Sequence, residues 1–305
     1  MNILSLVNAL PGAAAQGLIW GIMAIGVYLT FRILDVADLT VDGTMCTGGA
    51  VCVMMLMSGH NIWVSMLAAT GAGMLAGLAT GIFHTFMGIP AILAGILTQL
   101  GLYSANLKIM GKANQAVNGN KYNLLVSLRN VKNVPFYQNT ILIVAIFIVV
   151  LIAILYWFFG TELGCSLRAT GCNPNMSRAQ GINTDVCKVL GLMISNGLVA
   201  LSSALLAQYQ GFADVNMGRG AIVIGLAVII GEAIFGKIFR NFALRLLSVA
   251  FGSILYYLVL QTVIWLGIDT DLLKMLSALV VAIFLAVPYW KAKYFSKPTK
   301  RGGNN

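Results

Sequence analysis

The sequence predicts an all-α, polytopic membrane protein with about nine transmembrane helices, and three observations carry that prediction. First, 59% of the 305 residues are hydrophobic, 9% are charged and 33 are glycine. Soluble domains hold about 45–50% apolar and about 25% charged residues, so a water-exposed fold of this size lacks the polar side chains to cover itself. Second, the apolar residues fall into runs near the roughly 20 residues that a helix needs to cross the hydrocarbon layer. Third, Lys291, Lys293, Lys297, Lys300 and Arg301 gather beyond the last of these runs, as in a cytoplasmic tail under the positive-inside bias. The same figures exclude a disordered chain, and five cysteines in 305 residues are too sparse, and odd in number, for a disulfide scaffold.

The clearest span is 141–159, nineteen residues with nothing more polar than Tyr156 and Trp157. The others fall near 13–31, 43–57, 62–85, 90–107, 189–209, 220–236, 243–266 and 271–289. Two of these, 43–57 and 220–236, are short and glycine-rich, which suits a broken or partly re-entrant path. No Lys or Arg precedes the first run, so a cleaved signal peptide is not expected. With the C-terminus inside and the N-terminus outside, twelve Lys/Arg lie on or next to inside segments and six on outside ones. The external loop 108–139 is the exception to the bias; long external segments translocate largely regardless of charge, and its Gly/Asn-rich start and Pro135 suggest a small folded piece.

A faint internal period of about 180 residues runs through the chain. Gln16-Gly17-Leu18 matches Asn196-Gly197-Leu198, Ala37-Asp38 matches Ala213-Asp214, Asn61 matches Asn241, and Gly88-Ile89 matches Gly267-Ile268. The copies start five spans apart. An odd number inverts the second copy, giving an inverted-topology repeat with halves at about 12–107 and 189–290 in one transmembrane domain covering 1–305. Asp38 is then expected at the inner face and Asp214 at the outer. Close packing of two Gly-rich helices explains the glycines alone; a transport path flanked by repeats explains the glycines and the short spans together.

The inside loop 160–188 has a readable local grammar. Asn173 is a good N-cap and Pro174 a good first helical residue, whose missing N–H is unpaired there anyway. Gly181 supplies a left-handed stop. A helix of about two turns is therefore expected over 174–180, too short to hold by itself, and an amphipathic stretch over 163–169 precedes it along the membrane surface. A short capped helix facing the cytosol implies a partner surface.

The run Thr161-x-Leu163-Gly164-x-x-Leu167-Arg168-Ala169-Thr170-Gly171, followed by Asn173, Ala179 and Gly181-Ile182, resembles the coupling loop of type II ABC-importer permeases, the family of branched-chain amino-acid, ribose and nucleoside importers. Ala37-Asp38-Leu39-Thr40-Val41-Asp42-Gly43 and Gly225-x-Ala227-x-Ile229-Ile230-Gly231 fit the same family, and the Asp-Leu-Thr-Val-Asp-Gly form is similar to its tryptophan/tyrosine-type branch. The resemblance spans roughly 12–290. It implies a bacterial inner-membrane permease in which two copies, as a homodimer, form one path for a small solute such as an amino acid. It also implies a cytosolic ABC ATPase that grips the cytoplasmic coupling helix and an extracytoplasmic binding protein that delivers the solute. ATP and magnesium belong to that ATPase: no GxxxxGK[ST] occurs here, since Gly111-Lys112 is followed by Ala113 and Gly236-Lys237 by Ile238. Membrane lipid surrounds such a chain, and nucleic acid is not an expected partner.

On this reading Leu163, Arg168, Thr170, Asn173, Pro174, Asn175, Met176, Ser177 and Arg178 form the ATPase-coupling face. Arg168 reads as an ATPase contact, and Arg178 equally as that or as an ordinary topology-setting charge. Asp38, Thr40, Asp42 and Thr44 read singly as helix caps and as a group as an inner gate; Asp214 and Asn216 pose the same choice at the outer face. Glu232 and Lys237 read as an ion pair, and Lys274 as snorkelling to the outer interface. Gln16, Gln99, Asn196, Ser202, Ser203, Gln208 and Gln261 are polar residues within spans, expected mostly to bond across helices. No catalytic constellation and no metal site is legible in the cysteines or in His60 and His84. The rival class, an ion-coupled secondary transporter, wants midplane carboxylates, for which only Glu232 is a candidate; a membrane scaffold leaves the capped loop helix unexplained.

Overall fold

A computed structural model describes residues 3–119, 121–122, 124–131, 139–226, 241–267, 272, 275–279, 281–283 and 286. Among them seven helices are long and apolar enough to cross a membrane: Val7–Ile33, Thr40–Met57, Ile62–Thr85, Ala91–Met110, Thr140–Gly160, Thr184–Gln210 and Phe242–Trp265. These match seven of the nine expected spans. The expected span 271–289 lies mostly outside the described residues, as do 227–236 of the short span 220–236, Glu232, Lys237, Lys274 and the tail 291–305.

In chain order the elements are α1 (Ile3–Tyr28), a π-helical turn (Leu29–Ile33), α2 (Thr40–Met57), α3 (Ile62–Thr85), α4 (Ala91–Met110), β1 (Asn114–Ala116), a 3-10 turn (Leu128–Val131), α5 (Thr140–Gly160), α6 (Glu162–Cys172), α7 (Pro174–Ala179), α8 (Thr184–Gln210), β2 (Phe212–Asp214), α9 (Ala221–Leu226) and α10 (Phe242–Trp265). Asparagine opens most of the long helices. Asn61 accepts from the Trp63 N–H, Asn139 from Ile141, and Asn183 from both Asp185 and Val186, satisfying amide donors that a helix start leaves unpaired.

Burial sorts the helices. α1, α2 and α8 form the interior, with Ile19, Met23, Met45, Leu192 and Leu205 fully buried. α3, α4 and α5 are peripheral and turn large apolar side chains outward: Leu67 and Trp157 are 72% exposed and Leu75 and Leu100 65%. In a bilayer that outward face meets acyl chains, so its apolarity has no solvation penalty.

Helix association without a water-driven hydrophobic term relies on close approach and interhelical hydrogen bonds. On α3, Gly73 and Gly77 lie so close to α8 that a Cβ there would stand 2.4 Å from the Asn196 carbonyl oxygen and 2.3 Å from that of Leu192. On α1, a Cβ at Gly17 would stand 2.8 Å from the Ile254 Cα of α10. Serines fasten α8 to α1: Ser195 donates to the Gly26 carbonyl and Ser202 to that of Ile19, both at 2.7 Å. The principal helix pairs are thus α3 with α8 and α1 with α10.

A two-stranded antiparallel ribbon departs from the purely helical expectation. Asn114 pairs with Asp214, Gln115 with Ala213 and Ala116 with Phe212, joining the start of loop 108–139 to the segment after α8.

Candidate functional site

The α5–α8 connection builds one projecting corner. Thr161 caps α6 by accepting from the Gly164 N–H, and α6 then lies flush on the end of α1. A Cβ at Gly171 would fall 1.8 Å from the Ile33 carbonyl oxygen and one at Gly164 2.3 Å from that of Phe158, so neither position has room for a side chain. Asn173 caps α7 by accepting from the Met176 N–H at 3.1 Å, with Pro174 in the first helical position. Gly181 follows in the left-handed region at φ 82°. The local grammar of the sequence thus yields the helix it spelled out, one residue shorter than expected.

Of the residues expected on the coupling face, Leu163 and Met176 are 58% and 53% exposed, and Asn173, Pro174, Asn175 and Arg178 are exposed with them. Two are corrections. Thr170 and Ser177 are buried, their hydroxyls donating to the Ser166 and Asn173 carbonyls of the preceding turn, so neither presents a side chain to a partner. Arg168 has an internal role that the sequence did not disclose. Its guanidinium donates at 2.9 Å to the Phe159 carbonyl, one of the carbonyls left unpaired at the end of α5, where positive charge is favoured. Arg178 donates from Nε to Thr184 Oγ1 at 2.8 Å and from Nη2 to the Asp185 carboxylate at 3.4 Å. The corner is therefore tied to α5 through Arg168 and to the first turn of α8 through Arg178.

A second centre lies inside the bundle, around Asn196 near the middle of α8. Its Nδ2 donates at 2.7 Å to Asp38 Oδ2 and at 3.0 Å to the Leu192 carbonyl, and its Oδ1 accepts from the Thr44 hydroxyl at 2.7 Å. Asp38 Oδ1 accepts from the Thr40 N–H. The Thr40 hydroxyl meets that of Thr80 at 2.6 Å, and Thr80 donates to Thr98 at 2.8 Å. The chain of contacts joins α2, α3, α4 and α8, and every member is buried. Asp38 is therefore not at a membrane face, as the sequence suggested. The link 34–39 turns back into the bundle, so that α2 starts beside the midpoint of α8. Nor do Asp38, Thr40 and Thr44 form a solvent-lined cluster, because each is consumed by bonds between elements.

Asp42 does different work. Its carboxylate accepts from the Gly220 N–H at 3.1 Å and the Ile222 N–H at 3.0 Å. One turn on, Cys46 Sγ accepts from the Gly218 N–H and donates to the Val215 carbonyl. α2 thereby supplies the hydrogen bonds that the irregular stretch between β2 and α9 cannot make for itself. Asp214 accepts from the Asn216 N–H and from the Asn114 side chain, fixing the ribbon end; Asn216 itself is exposed.

In the sequence Asn196 is one polar span residue among several, Cys46 is one of five cysteines that form no site, and no motif marks Thr80 or Thr98. The available signal was polarity at positions whose neighbours one turn away are apolar or small. Of the other polar span residues, Ser202, Ser203 and Gln208 bond across helices, Ser203 to the Met45 carbonyl and Gln208 to the Leu125 N–H and Cys52. Gln16 and Gln261 line a cavity of about 570 Å³ with Tyr209 and Phe212. Among the described residues no three His, Cys, Asp or Glu side chains stand together as metal ligands.

Comparison with known proteins places this geometry. The profile of a family described as "Branched-chain amino acid transport system / permease component" matches residues 10–287. The chain is 39% identical over 272 residues to the tyrosine transport system permease protein of Clostridioides difficile (strain R20291), covering 89% of this chain and 88% of that one. It is 26% identical over 272 residues to the fructose import permease protein FruF of Bifidobacterium longum (strain NCC 2705), covering 87% and 73% of the two chains. Among solved structures, PsaBC from Streptococcus pneumoniae in complex with Fab superposes with a TM-score of 0.55 at 16% identity, over 96% of this chain and 100% of that chain, a likeness of fold alone.

Proposed function

The chain belongs to the branched-chain amino acid transport permease family and is a permease subunit of an ABC importer, and from that premise we propose that it carries an aromatic amino acid inward across a bacterial inner membrane. The observation that carries the mechanism is the projecting corner α6–α7. Its exposed residues Leu163, Asn173, Pro174, Asn175, Met176 and Arg178 make a small knob that is stiffened by its ties to α5 and α8 and by the packing of α6 on Ile33. A cytosolic ABC ATPase binds this knob, hydrolyses ATP with magnesium in its own site, and moves the helices through it. Two permease copies form the path, and an extracytoplasmic binding protein delivers the solute. The identity to a tyrosine transport permease supports the class of solute.

The path is flanked by two halves of inverted topology, about 12–107 and 189–290. Supporting this, α3 and α10 are each 24 residues long and follow Asn61 and Asn241. Gly17 of α1 meets Ile254 of α10, and Gly197 of α8 meets Met74 of α3, both members shifted by about 180 residues. Asp38 and Asp214 each accept from the N–H two residues on. The coupling knob and the C-terminus face the cytosol, and the β-ribbon faces outward.

The test is uptake of labelled tyrosine by vesicles holding the permease, with its ATPase and ATP on the knob side and its binding protein on the other. Replacing 174–180 by a Gly/Ser linker is expected to abolish both ATPase co-purification and uptake. Uptake that survives without any ATPase would overturn the reading. A cysteine replacing Arg178 in a cysteine-free background is expected to label only from the cytosolic side and one replacing Asn118 only from outside. Labelling of both from one side would refute the topology.

A further inference from the structure

A cleft of about 460 Å³ opens between the link after α1, the turn between α3 and α4, and the α6–α7 junction. Its volume falls within the roughly 300–1,000 Å³ of small-molecule sites. Asp35 and Lys188 both line it, over apolar walls that include Leu34, Val36, Pro90 and Ile92. Among the described residues neither the Asp35 carboxylate nor the Lys188 ammonium makes a hydrogen bond or ion pair. Opposite charges on one cleft that do not pair with each other leave two complementary demands unmet. An anion alone would meet Asp35 unfavourably, a cation alone would meet Lys188, and a neutral solute would leave both unanswered.

The cleft is a built feature. Asp35 is the one non-glycine residue with positive φ among those described, at 54°, a conformation unfavourable for most L-residues that Asp tolerates better; residues held so tend to cluster at ligand sites and switches. The walls are locked by close backbone contact. The absent Cβ of Gly171 would collide with the Ile33 carbonyl, and that of Gly95, in α4, would stand 2.8 Å from the Leu39 nitrogen. His84 Nδ1 bonds the Ile89 carbonyl at 2.9 Å; the carbonyl only accepts, so Nδ1 carries the proton and the ring is fixed on the α3–α4 turn.

We infer that this cleft binds a small zwitterion, its ammonium on Asp35, its anionic oxygens toward Lys188 and its apolar part against Val36, Pro90 and Ile92. Two sources supply that chemistry, a free α-amino acid and the headgroup of phosphatidylethanolamine. Because the cleft borders Cys172 and Pro174, an occupant wedges the joint between α6 and α7 and restrains the knob. That last consequence rests on the transport reading; the binding does not.

The experiment uses the full chain in nanodiscs of phosphatidylglycerol, which carries no ammonium. L-Tyrosine is expected to bind saturably, whereas tyramine, lacking the carboxylate, and 4-hydroxyphenylpropionate, lacking the ammonium, bind at least tenfold more weakly. Asp35→Asn and Lys188→Gln should each weaken tyrosine at least tenfold. Asn tolerates the left-handed backbone, and Lys188 is half-buried with no side-chain hydrogen bond to lose, so both variants are expected to fold, which their melting midpoints check. If the source is lipid, phosphatidylethanolamine added to the discs co-purifies with the wild-type chain and not with either variant. Equal binding of tyramine and tyrosine, or no Asp35- and Lys188-dependent retention of either zwitterion, overturns the site. If free tyrosine is the occupant, vesicles preloaded with it on the knob side import more slowly than empty ones, and Asp35→Asn removes that difference. Binding without any import would count against the transport reading alone, and import without binding against the site alone.

Discussion

Exchanging the two polar partners at positions 38 and 196 separates a specific buried contact from general polarity. Asp38 is 4% and Asn196 0% exposed, with 2.7 Å between Oδ2 and Nδ2. Asn196→Asp alone turns that contact into two facing oxygens, and losing one partner of a buried charged group costs about 3–5 kcal/mol. That exceeds the ~0.6 kcal/mol average of interhelical hydrogen bonds in membrane proteins. At about 2–4 °C per kcal/mol, the melting midpoint should fall on the order of 10 °C. Asp38→Asn with Asn196→Asp restores the pattern in mirror image. The new amide at position 38 still accepts from the Thr40 N–H and donates to the new carboxylate, which still accepts from Thr44. The Leu192 carbonyl alone loses its donor and meets a carboxylate oxygen instead, for about 1–3 kcal/mol. Melting of detergent-purified protein followed by size-exclusion chromatography reads all three variants, and the double mutant should recover most of the loss. A double mutant no more stable than Asn196→Asp would refute the assignment of Asn196 as the donor to Asp38 and return the pair to non-specific polar packing.

Three further outcomes follow from close approach, anchoring and exposure. Gly77→Ala sets a methyl against the Leu192 carbonyl and should cost several °C, whereas Gly101→Ala, with nothing within 4 Å, should be neutral or stabilise by up to about 1 kcal/mol; equal effects in parallel melts would contradict the α3–α8 packing. Asp42→Ala strands the part-buried Ile222 N–H, at about 1–3 kcal/mol, leaves the exposed Gly220 N–H to water, and should make the 215–222 stretch newly sensitive to protease and to hydrogen exchange, with the Gly77 region unaffected. In the native wild-type protein, maleimide should modify Cys165 and Cys172, which are exposed, and spare Cys46, Cys52 and Cys187, which are buried; intact-mass spectrometry counts the adducts, and a third before denaturation would contradict the burial of α2 and α8.

Local instructions were legible, and long-range ones were not. Asn173-Pro174 and Gly181 specify α7 because an N-cap, a proline at the first position and a left-handed stop act within one turn, whatever surrounds them. The spans were legible because length and apolarity are dictated by the bilayer. Facing was not: with lipid on one side and protein on the other, both faces of α5 are apolar, and nothing in its nineteen-residue run distinguishes buried Val144 and Ile148 from exposed Ile146 and Val150. The β1–β2 ribbon escaped because three-residue strands a hundred residues apart carry no periodicity. Arg168 was read as a docking charge because Phe159, the residue it caps, lies nine positions back and offers only a carbonyl, which no sequence motif records.

The hydrogen-bond demands of backbone in lipid indicate where such a bundle depends on side chains. Within the hydrocarbon layer, non-helical backbone persists only where protein covers it or water reaches it. Two irregular stretches meet α2: the link 34–39, which delivers Asp38 to Asn196, and the stretch from Asp214 to Gly220, held by Cys46 and Asp42. The α3–α8 and α1–α10 seams are set by backbone atoms against absent Cβ positions and cannot slide without opening voids or clashes. The contacts of α2 with 215–222 combine side-chain hydrogen bonds from Asp42 and Cys46 with the same close backbone approach, since a Cβ at Gly218 would fall against the Asp42 carbonyl. The irregular stretches thus differ from the helices in drawing part of their hydrogen bonding from side chains, those of α8 for the first and of α2 for the second.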